Sequence, residues 1–591
     1  MKQRIIFGLA ALASLVLADV TYNVVGYPST EAGSFGVLID GQLTKLTTSD
    51  TTFPLWSGTV AGASASTSYK YVHLDPTGNK ISEEAFSRTL KDAKAIKTPN
   101  EFFDRPVFYE KSTDLPNVPQ VYKPWVMSPS DAFNDADIAT FHLTADGAAF
   151  DGLQQKPLDA VPIKANVRYI NRDVVLTIPN VTFAPSGKSS MEFNKLAWRL
   201  SFDKKLGQKF FSREDIKLRS ETSDPTIIRE KVYIDVLNAM GLPTQQGVWV
   251  RLFVNSRPVG LYLMVDDIGK QFLKETIHHG EPKVEKGSLW QMNAPVVETQ
   301  ADFQYLGPDA ATYPKDCYKL KNAKVNATVD PMVQLIQLMK DLQDFNPQAP
   351  GAIAYWESRI DLDGFLKNMA MEFLAGSWDA YWYSGSNFFL YFNPTLSTKG
   401  LWQWISTDFD GTFGDGDPTD ILTTYQGYAD FKSHDRPFIS KLILGNTQIN
   451  ALFEQTLKEI VGWAFKPEGL FPRIDAYEKM LAKDAEWDAS IDRTQFQRKD
   501  NKWTIQDFRQ GLIGPVTNMN LGVKPWIEGR TKDLQSQLNF TVQPGAKDRV
   551  DRQVILSKGG NNDASAHAAD SAAAGHASMV KSLLAGVMVG L

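Results

Sequence analysis

Cysteine and histidine are scarce in this chain. Of its 591 residues, one is cysteine (Cys317) and seven are histidine. A single cysteine excludes an intramolecular disulfide framework and a cysteine-based zinc cluster. Seven histidines leave few candidates for a histidine metal site or a Ser-His-Asp triad, and neither G-x-S-x-G nor H-E-x-x-H occurs.

An excess of basic residues is also absent. The chain has 62 Lys and Arg residues against 68 Asp and Glu residues, which gives a net charge of −6 at pH 7. A dedicated nucleic-acid-binding protein would carry a basic excess, so we expect no nucleic-acid partner. The hydrophobic share of 43% and the charged share of 22% are those of an ordinary folded protein. The length predicts about two to four domains.

Between its two ends the chain has no apolar run long enough to span a membrane. Residues 1–18 have the features of a secretory signal peptide: basic Lys2 and Arg4, an apolar stretch over residues 5–17 and a small-residue ending at Ala18. A buried N-terminal helix is the alternative interpretation. The sequence therefore predicts entry into the secretory pathway.

A polar segment of small residues followed by a short apolar tail occupies residues 546–591. This combination is typical of a GPI-anchor signal, and a frayed amphipathic tail is the alternative. The expected attachment residue is Asn561, Asp570 or Ser571. Together with the signal peptide, the tail predicts a protein at the cell surface, anchored through GPI to the plasma membrane or cell wall.

Three N-x-S/T sequons accompany these secretion signals. They make Asn180, Asn326 and Asn539 candidate glycosylation sites. Chance would supply several sequons in a chain of this length, so they support secretion only together with the signal peptide.

The pattern of strands and helices changes along the chain. Residues 19–93 alternate short strand patterns with turn residues, which predicts a small N-terminal β-sandwich. Residues 94 to about 130 are rich in Pro and Asp, and residues 94–160 are predicted to form a linker that wraps toward the next unit. Residues 161–265 are again rich in strand patterns, and helical periodicity dominates from residue 330 to about residue 540. These patterns predict a β-rich unit over residues 161–265 and a largely helical unit over residues 266–545. The predicted fold class is α+β.

A strand, a helix and a hairpin follow one another within residues 216–265. The strand carries Lys217, and the helix is predicted to begin at Asp224 with Glu230 facing partly inward. This is the order of a protein-kinase small lobe, in which a Lys–Glu pair holds nucleotide phosphates. Lys217 and Glu230 are therefore candidate nucleotide-binding residues. The alternative is an exposed lysine and a first-turn glutamate favoured by the helix dipole.

A second hairpin is predicted over residues 388–405, and it brings polar side chains together. Symmetric closure places Asn387 opposite residue 406 and hence close to Asp408, because cross-strand partners lie about 5 Å apart. Asp379, just before the hairpin, can reach the same point. These oxygen donors, with Asp410, suit Mg²⁺ or Mn²⁺ carrying phosphates. A structural calcium loop, or a plain solvated turn containing Asp408, Asp410, Asp415 and Asp417, remains an alternative.

Four segments carry a family resemblance. Residues 217–231 (KLRSETSDPTIIREK), 254–262 (VNSRPVGLY), 378–379 (WD) and 408–414 (DFDGTFG) resemble the pattern of the CotH family. That family comprises spore-coat protein kinases of bacteria and related surface proteins of moulds. The resemblance extends over about residues 160–545.

The resemblance implies an atypical, two-lobed protein serine kinase that uses ATP and Mg²⁺ or Mn²⁺. By motif matching, Asp379 is the catalytic aspartate, and Asn387, Asp408 and Asp410 are the metal ligands. Asn387 follows Asp379 by eight residues, where ordinary kinases have five. Some fungal members are known as invasins. Three functions therefore compete: a surface kinase acting on a protein substrate, an adhesin or invasin that binds a host-cell receptor, and a structural wall or spore-coat protein.

Overall fold

The structure is a computed structural model that describes residues 18–542, apart from residues 31, 64–67, 91, 93–94, 107–114, 129, 136–137, 188, 324–328, 417–422, 431–434 and 518. Residues 1–17 of the predicted signal peptide lie outside the described residues, as does the predicted anchor signal from residue 546. The same holds for Asn326, Asp417, Asn561, Asp570 and Ser571.

The N-terminal part consists of two small sheets around one core. Its strands are β1 (Ala18–Val25), β2 (Ser34–Ile39), β3 (Gln42–Lys45), β4 (Leu55–Ala63), β5 (Tyr69–Leu74), β6 (Lys80–Glu83) and β7 (Glu101–Phe102). The sheet orders are β4-β1-β7 and β3-β2-β5-β6. Tyr22 from the first sheet and Val37 and Tyr71 from the second share a buried cluster. The short strand β7 lies beyond the predicted sandwich boundary at residue 93 and pairs in parallel with β1.

A closed barrel forms the centre of the molecule. Its strands are β8 (Ala139–Ala145), β9 (Ile163–Ile170), β10 (Val175–Ser186), β11 (Ala197–Ser201), β12 (Asp215–Arg219), β13 (Gly247–Val254) and β14 (Arg257–Asp266). They close in the order β10-β11-β12-β14-β13-β8-β9. Helix α1 (Gly147–Gln155) connects β8 with β9, and α2 (Arg229–Ala239) connects β12 with β13. Strand β8 lies inside the segment predicted as a linker, so the barrel begins before residue 161.

Residues 115–128 of the predicted linker pack against the helices. The backbone N–H of Val121 donates to the carbonyl oxygen of Ala239 at 2.8 Å. The indole of Trp125 donates to the carbonyl of Thr276 at 2.6 Å. Leu115, Val121 and Tyr122 are buried in the largest apolar cluster. This segment is therefore part of the folded body.

The C-terminal half contains a four-stranded sheet surrounded by helices. The strands β15 (Leu289–Met292), β16 (Tyr318–Asn322), β17 (Phe388–Asn393) and β18 (Leu401–Ser406) lie in the order β16-β15-β17-β18. The helices are α3 (Lys270–Phe272), α4 (Pro331–Asp344), α5 (Ala352–Glu357), α6 (Leu362–Ala375), α7 (Tyr381–Ser384), α8 (Tyr425–Asp430), α9 (Thr447–Trp463), α10 (Pro467–Ala489), α11 (Ile505–Ile513) and α12 (Val523–Gln537). Within the described ranges, no helix is both long and apolar enough to cross a bilayer. The α+β class is confirmed.

Helix α2 begins later than the sequence predicts. Asp224 was expected as its N-cap, but the helix starts at Arg229. Ile227 has a φ of 52°, a left-handed conformation that interrupts the helical path. The Asp224 carboxylate instead accepts hydrogen bonds from the backbone N–H groups of Thr226, Ile228 and Arg229. The prediction failed because an aspartate can cap a turn in the same way as a helix.

Candidate functional site

The hairpin β17–β18 brings two of the three predicted metal ligands, Asn387 and Asp408, together. Phe388 pairs with Ser406, and the backbone N–H of Thr407 donates to the carbonyl oxygen of Asn387 at 3.1 Å. Asn387 therefore faces residue 407, one position from the predicted partner, and Asp408 follows directly. Asn387 and Asp408 have φ values of 57° and 64°. Asn and Asp tolerate this left-handed conformation better than most residues, which suits them to the ends of these strands.

Asp379 lies at the same point, between α6 and α7. The amide nitrogen of Asn387 donates to a carboxylate oxygen of Asp379 at 2.7 Å and to its backbone carbonyl at 2.8 Å. Partial desolvation, with the nearby carboxylates of Asp408 and Asp410, raises the pKa of Asp379 to about 7. A carboxylate with this pKa changes protonation state close to neutral pH.

Arg219 joins this hairpin to the barrel. Its guanidinium lies 2.6 Å from Glu230, 2.5 Å from Asp408, 3.2 Å from Glu221 and 3.4 Å from Asp410. The four carboxylates come from α2, the loop after β12 and the loop after β18. One cation at the end of β12 thus holds three separate segments together.

The predicted pair of Lys217 and Glu230 is wrong. Lys217 is bound to Asp267 at 2.9 Å, whereas Glu230 is bound to Arg219 and accepts a hydrogen bond from Gln245 at 2.6 Å. Neighbouring Ile216 and Leu218 point into the barrel core, so Lys217 and Arg219 share the opposite face of β12. Arg219 lies at the end of the strand nearer to α2.

Several acidic side chains near Arg219 are buried, and burial changes their pKa values. Burial raises the pKa of Glu221 to about 8 and that of Asp415 to about 8, and it raises the pKa of Glu230 well above its usual value. One side-chain oxygen of Glu221 and one of Asp415 have no hydrogen-bond partner within the described part of the chain. Although burial opposes it, Arg219 keeps the pKa of Asp408 below its usual value.

Packing fixes α2 against the loop after β18. The rings of Tyr233 and Phe409 stack with centroids 4.1 Å apart. The guanidinium of Arg229, paired with Asp224, donates to the carbonyl of Thr412 at 3.1 Å. The hydroxyl of Ser223 donates to Asp410 at 2.9 Å. The helix and both loops thus form one packed unit around the acidic site.

The donor chemistry of this site fits a divalent cation with phosphate ligands. Asn387, Asp408 and Asp410 supply amide and carboxylate oxygens, the ligands that Mg²⁺ and Mn²⁺ prefer. Burial, together with neighbouring carboxylates, raises the pKa values of Asp379, Asp410 and Asp415, and a bound cation would lower them again. In the described residues, no three His, Cys, Asp or Glu side chains already stand in a metal-binding arrangement. The Asp408 carboxylate faces Arg219 instead, so metal binding would require the Asp408 side chain to turn away from Arg219.

A cavity of about 580 Å³ opens beside the site. Its lining includes Glu221, Lys195 and Trp503, and it lies between the loop after β12 and the segment that follows α10. Cavities of roughly 300–1,000 Å³ accommodate small-molecule ligands. Of the four carboxylates that contact Arg219, the lining includes Glu221 alone. Asp379, Asn387, Asp408 and Asp410 do not line this cavity, so it lies beside the candidate site and not in it.

Sequence reasoning missed Arg219 and Glu221 as members of the site. Both lie within residues 217–231, the segment that carried the family resemblance. The strand alternation of that segment could have shown that Arg219 shares a face with Lys217. No local signal indicates that Arg219 contacts Asp408, because the two residues meet only through the packing of the barrel on the hairpin.

Two of the three predicted glycosylation sites lie within the described residues. Asn180 and Asn539 are exposed, as a glycosylation site requires. Asn180 lies at an irregularity in β10, where the register with β9 shifts between Ile178 and Val181.

Comparisons with known proteins identify the family. The family model described as "CotH kinase protein" matches residues 183–510. Invasin CotH3 of Rhizopus delemar is 30% identical over 560 residues, which cover 92% of this chain and 88% of that protein. Invasin CotH2 of the same fungus is 28% identical, covering 89% and 85%. The inner spore coat protein H of Bacillus subtilis is 20% identical over 303 residues, covering 51% and 76%. The resemblance seen in the motifs is confirmed, and the chain belongs to the CotH family.

Proposed function

We propose that this protein is an atypical protein serine kinase that uses ATP and Mg²⁺ or Mn²⁺. One observation carries the proposal: Asp379, Asn387 and Asp408 meet at the mouth of one hairpin. The pair of Arg219 and Glu230 links that mouth to the barrel. A pure binding surface has no need for an aspartate, an asparagine and a second aspartate at one point. Phosphoryl transfer requires such a set.

Each residue of the site has a role in this proposal. Asp379, with its pKa near 7, accepts the proton of the substrate serine hydroxyl, and Asn387 orients its carboxylate. Asn387, Asp408 and Asp410 would hold the cation, and Arg219, kept in place by Glu230, would contact phosphate oxygens. When bound, Mg²⁺ or Mn²⁺ neutralises the charge of the transferring phosphate. In a two-lobed kinase, the barrel would supply the small lobe and the helical half the large lobe.

The names of the relatives support a second candidate, a surface adhesin or invasin on a kinase-like scaffold. Two of the Rhizopus delemar relatives described above are called invasins, and the Bacillus subtilis relative is named as a spore coat protein. These names suggest a surface or coat location for this chain. The predicted signal peptide and GPI anchor agree with that location. In this case the partner is a host-cell receptor. A structural role in the cell wall or spore coat is a separate, third candidate.

Thermal unfolding with ATP and Mn²⁺ tests the first candidate. Wild type should be stabilised by ATP only when Mn²⁺ or Mg²⁺ is present, and it should transfer labelled phosphate to serine-containing proteins. Asp408→Ala should lose both effects, because phosphate charge cannot be held there without the cation. Asp344→Ala, which removes an exposed carboxylate on α4, is the matched control and should behave as wild type.

Two other outcomes are informative. If wild type shows no metal-dependent response to ATP, the kinase proposal is wrong and the adhesin candidate replaces it. If Ca²⁺ alone stabilises wild type and Asp408→Ala abolishes that response, the site is a structural calcium loop. Binding to a cell surface should survive Asp408→Ala if adhesion uses a different face of the molecule.

A further inference from the structure

Helix α2, which carries Glu230, is enclosed by the rest of the protein. Each of its residues except Asn238 is buried. At its first turn, Arg229 donates to the carbonyl of Thr412 on the loop after β18. At its last turn, the carbonyl of Ala239 accepts the backbone N–H of Val121. The helix is thus attached at both ends to segments that are distant in sequence.

A network of charged side chains holds the middle of the helix. Asp235 accepts hydrogen bonds from Nε of Arg473 at 2.7 Å, from the hydroxyl of Tyr477 at 2.6 Å and from Lys231. Arg473 also pairs with Asp135, and Lys231 lies 3.2 Å from the same carboxylate. Arg473 and Tyr477 belong to α10, so the network fastens α2 to the helical half.

Asp235 and Glu230 lie on different faces of α2. Five residues along a helix with 3.6 residues per turn correspond to a rotation of about 140°. Glu230 therefore faces Arg219 on one side while Asp235 faces α10 on nearly the opposite side. A network on that side resists any movement of the helix away from α10 and so fixes the distance between Glu230 and Arg219.

The charges of this network depend on one another. Asp235 and Lys231 are 6% and 3% exposed. Despite the burial, Arg473 and Lys231 lower the pKa of Asp235 to about 2. An outward shift of α2 would separate these buried charges, and separated buried charges are strongly unfavourable. The network therefore opposes such a shift strongly.

We infer that Asp235 and Arg473 are positioning residues that lock α2 where Glu230 pairs with Arg219. Glu230 then stays beside Arg219, and no separate activating step is needed to move α2 toward the barrel. The catalytic meaning of this lock rests on the proposed kinase function. The position of α2 itself can be measured without any activity.

Hydrogen exchange of the intact protein tests the lock directly. Arg473→Met removes the charge from the network and keeps an apolar stem. Arg251→Met is the matched control, because Arg251 pairs with Asp484 on the same helix α10, at 2.6 Å, and is not part of the network around Asp235. We expect exchange of the α2 amides, residues 229–239, to become about 10- to 100-fold faster in Arg473→Met and to change less than about threefold in Arg251→Met. Equal exchange at α2 in the two variants would overturn the inference.

Activity provides the second measurement. In Arg473→Met, kcat for phosphoryl transfer should fall about tenfold or more as Glu230 moves, and Arg473→Lys should restore part of the rate. Faster exchange at α2 with an unchanged kcat would show that the lock does not position Glu230. If wild type transfers no phosphate but the exchange results hold, the proposed function fails and the lock stands.

A milder variant covers the case in which Arg473→Met does not fold. Tyr477→Phe removes one hydroxyl from Asp235 and leaves the ring packed on Trp249, at 4.8 Å between centroids. We expect a smaller increase of exchange confined to α2. No increase there would contradict the inference.

Discussion

Nε of Arg219 lies 2.6 Å from the carboxylate of Glu230, and a terminal nitrogen of the same guanidinium lies 2.5 Å from the carboxylate of Asp408. A single side chain therefore connects the buried helix α2 to the hairpin that carries the candidate metal ligands. The sequence pattern assigned the contact with Glu230 to Lys217, which lies two residues earlier on the same face of β12.

Replacing Arg219 should cost far more stability than replacing Lys217. Arg219→Met removes the cation that lowers the pKa of Asp408, and it leaves the buried side chains of Glu221 and Glu230 without the guanidinium that they contact. Each buried polar group left without its partner costs about 1–3 kcal/mol. Lys217→Met breaks a partly exposed pair with Asp267 and should cost about 0–1 kcal/mol. Urea unfolding of both variants measures the difference. A larger loss for Lys217→Met would show that Arg219 is not the central cation.

Stability without divalent cations should fall as the pH rises toward 8, and Asp415 should contribute to the fall. Its carboxyl holds its proton up to about pH 8 in the folded protein, whereas an unfolded aspartate loses it near pH 4. The folded state binds more protons in this window, so the contribution is complete below pH 4 and is lost as the pH rises through 8.

Asp415→Asn removes this titration. Relative to wild type, the free energy of unfolding of the variant should increase by roughly 1–3 kcal/mol between pH 5 and pH 8. Urea midpoints at pH 5, 6, 7 and 8 measure the trend, with exposed Asp344→Asn as the control. Parallel curves for wild type and Asp415→Asn would contradict the raised pKa of Asp415.

Stabilisation by Mn²⁺ should increase as the pH rises, in contrast to the contribution of Asp415. At pH 6 the carboxyl of Asp379, with its pKa near 7, is largely protonated, whereas at pH 8 it is ionised and adds to the negative charge that attracts a cation. The rise in unfolding temperature on adding Mn²⁺ should therefore be larger at pH 8 than at pH 6, and EDTA should reverse it. Asp379→Asn should remove most of the pH dependence; an unchanged dependence would exclude Asp379 from the metal response.

A glycine after α2 should tolerate no side chain. Gly241 has a φ of 67°, and a Cβ atom there would lie 2.1 Å from the backbone oxygen of Lys123. Gly207 has a similar φ of 68° but open space around it. Gly207→Ala should cost about 1 kcal/mol from the backbone conformation alone, and Gly241→Ala at least about 2–3 kcal/mol more because the segment at Lys123 must move. Equal losses in urea unfolding would mean that this segment is loosely attached.

The sequence predicted local features of the site well. The hairpin β17–β18 was placed within one residue, since strand alternation and turn residues determine its register. The start of α2 was misplaced because Asp224 caps a turn. Strand β8 lies within the segment predicted as a linker. It pairs with β9 and, in parallel, with β13, more than a hundred residues later, and that distant pairing leaves no local signal in the sequence. The contacts of Arg219 with Asp408 and of Asp235 with Arg473 arise from tertiary packing, for which a single sequence holds no signal.

The closed barrel and helix α12 determine which piece of this protein can be produced alone. The family match covers residues 183–510, but β8, β9 and most of β10 precede it and α12 follows it. A fragment with those limits would open the barrel, leave strand edges unpaired and lose Trp526, whose indole donates to the carbonyl of Leu374 in α6. Recombinant work on the catalytic question should therefore keep the chain from the N-terminal sheets through residue 542, because shorter fragments expose surfaces that favour aggregation.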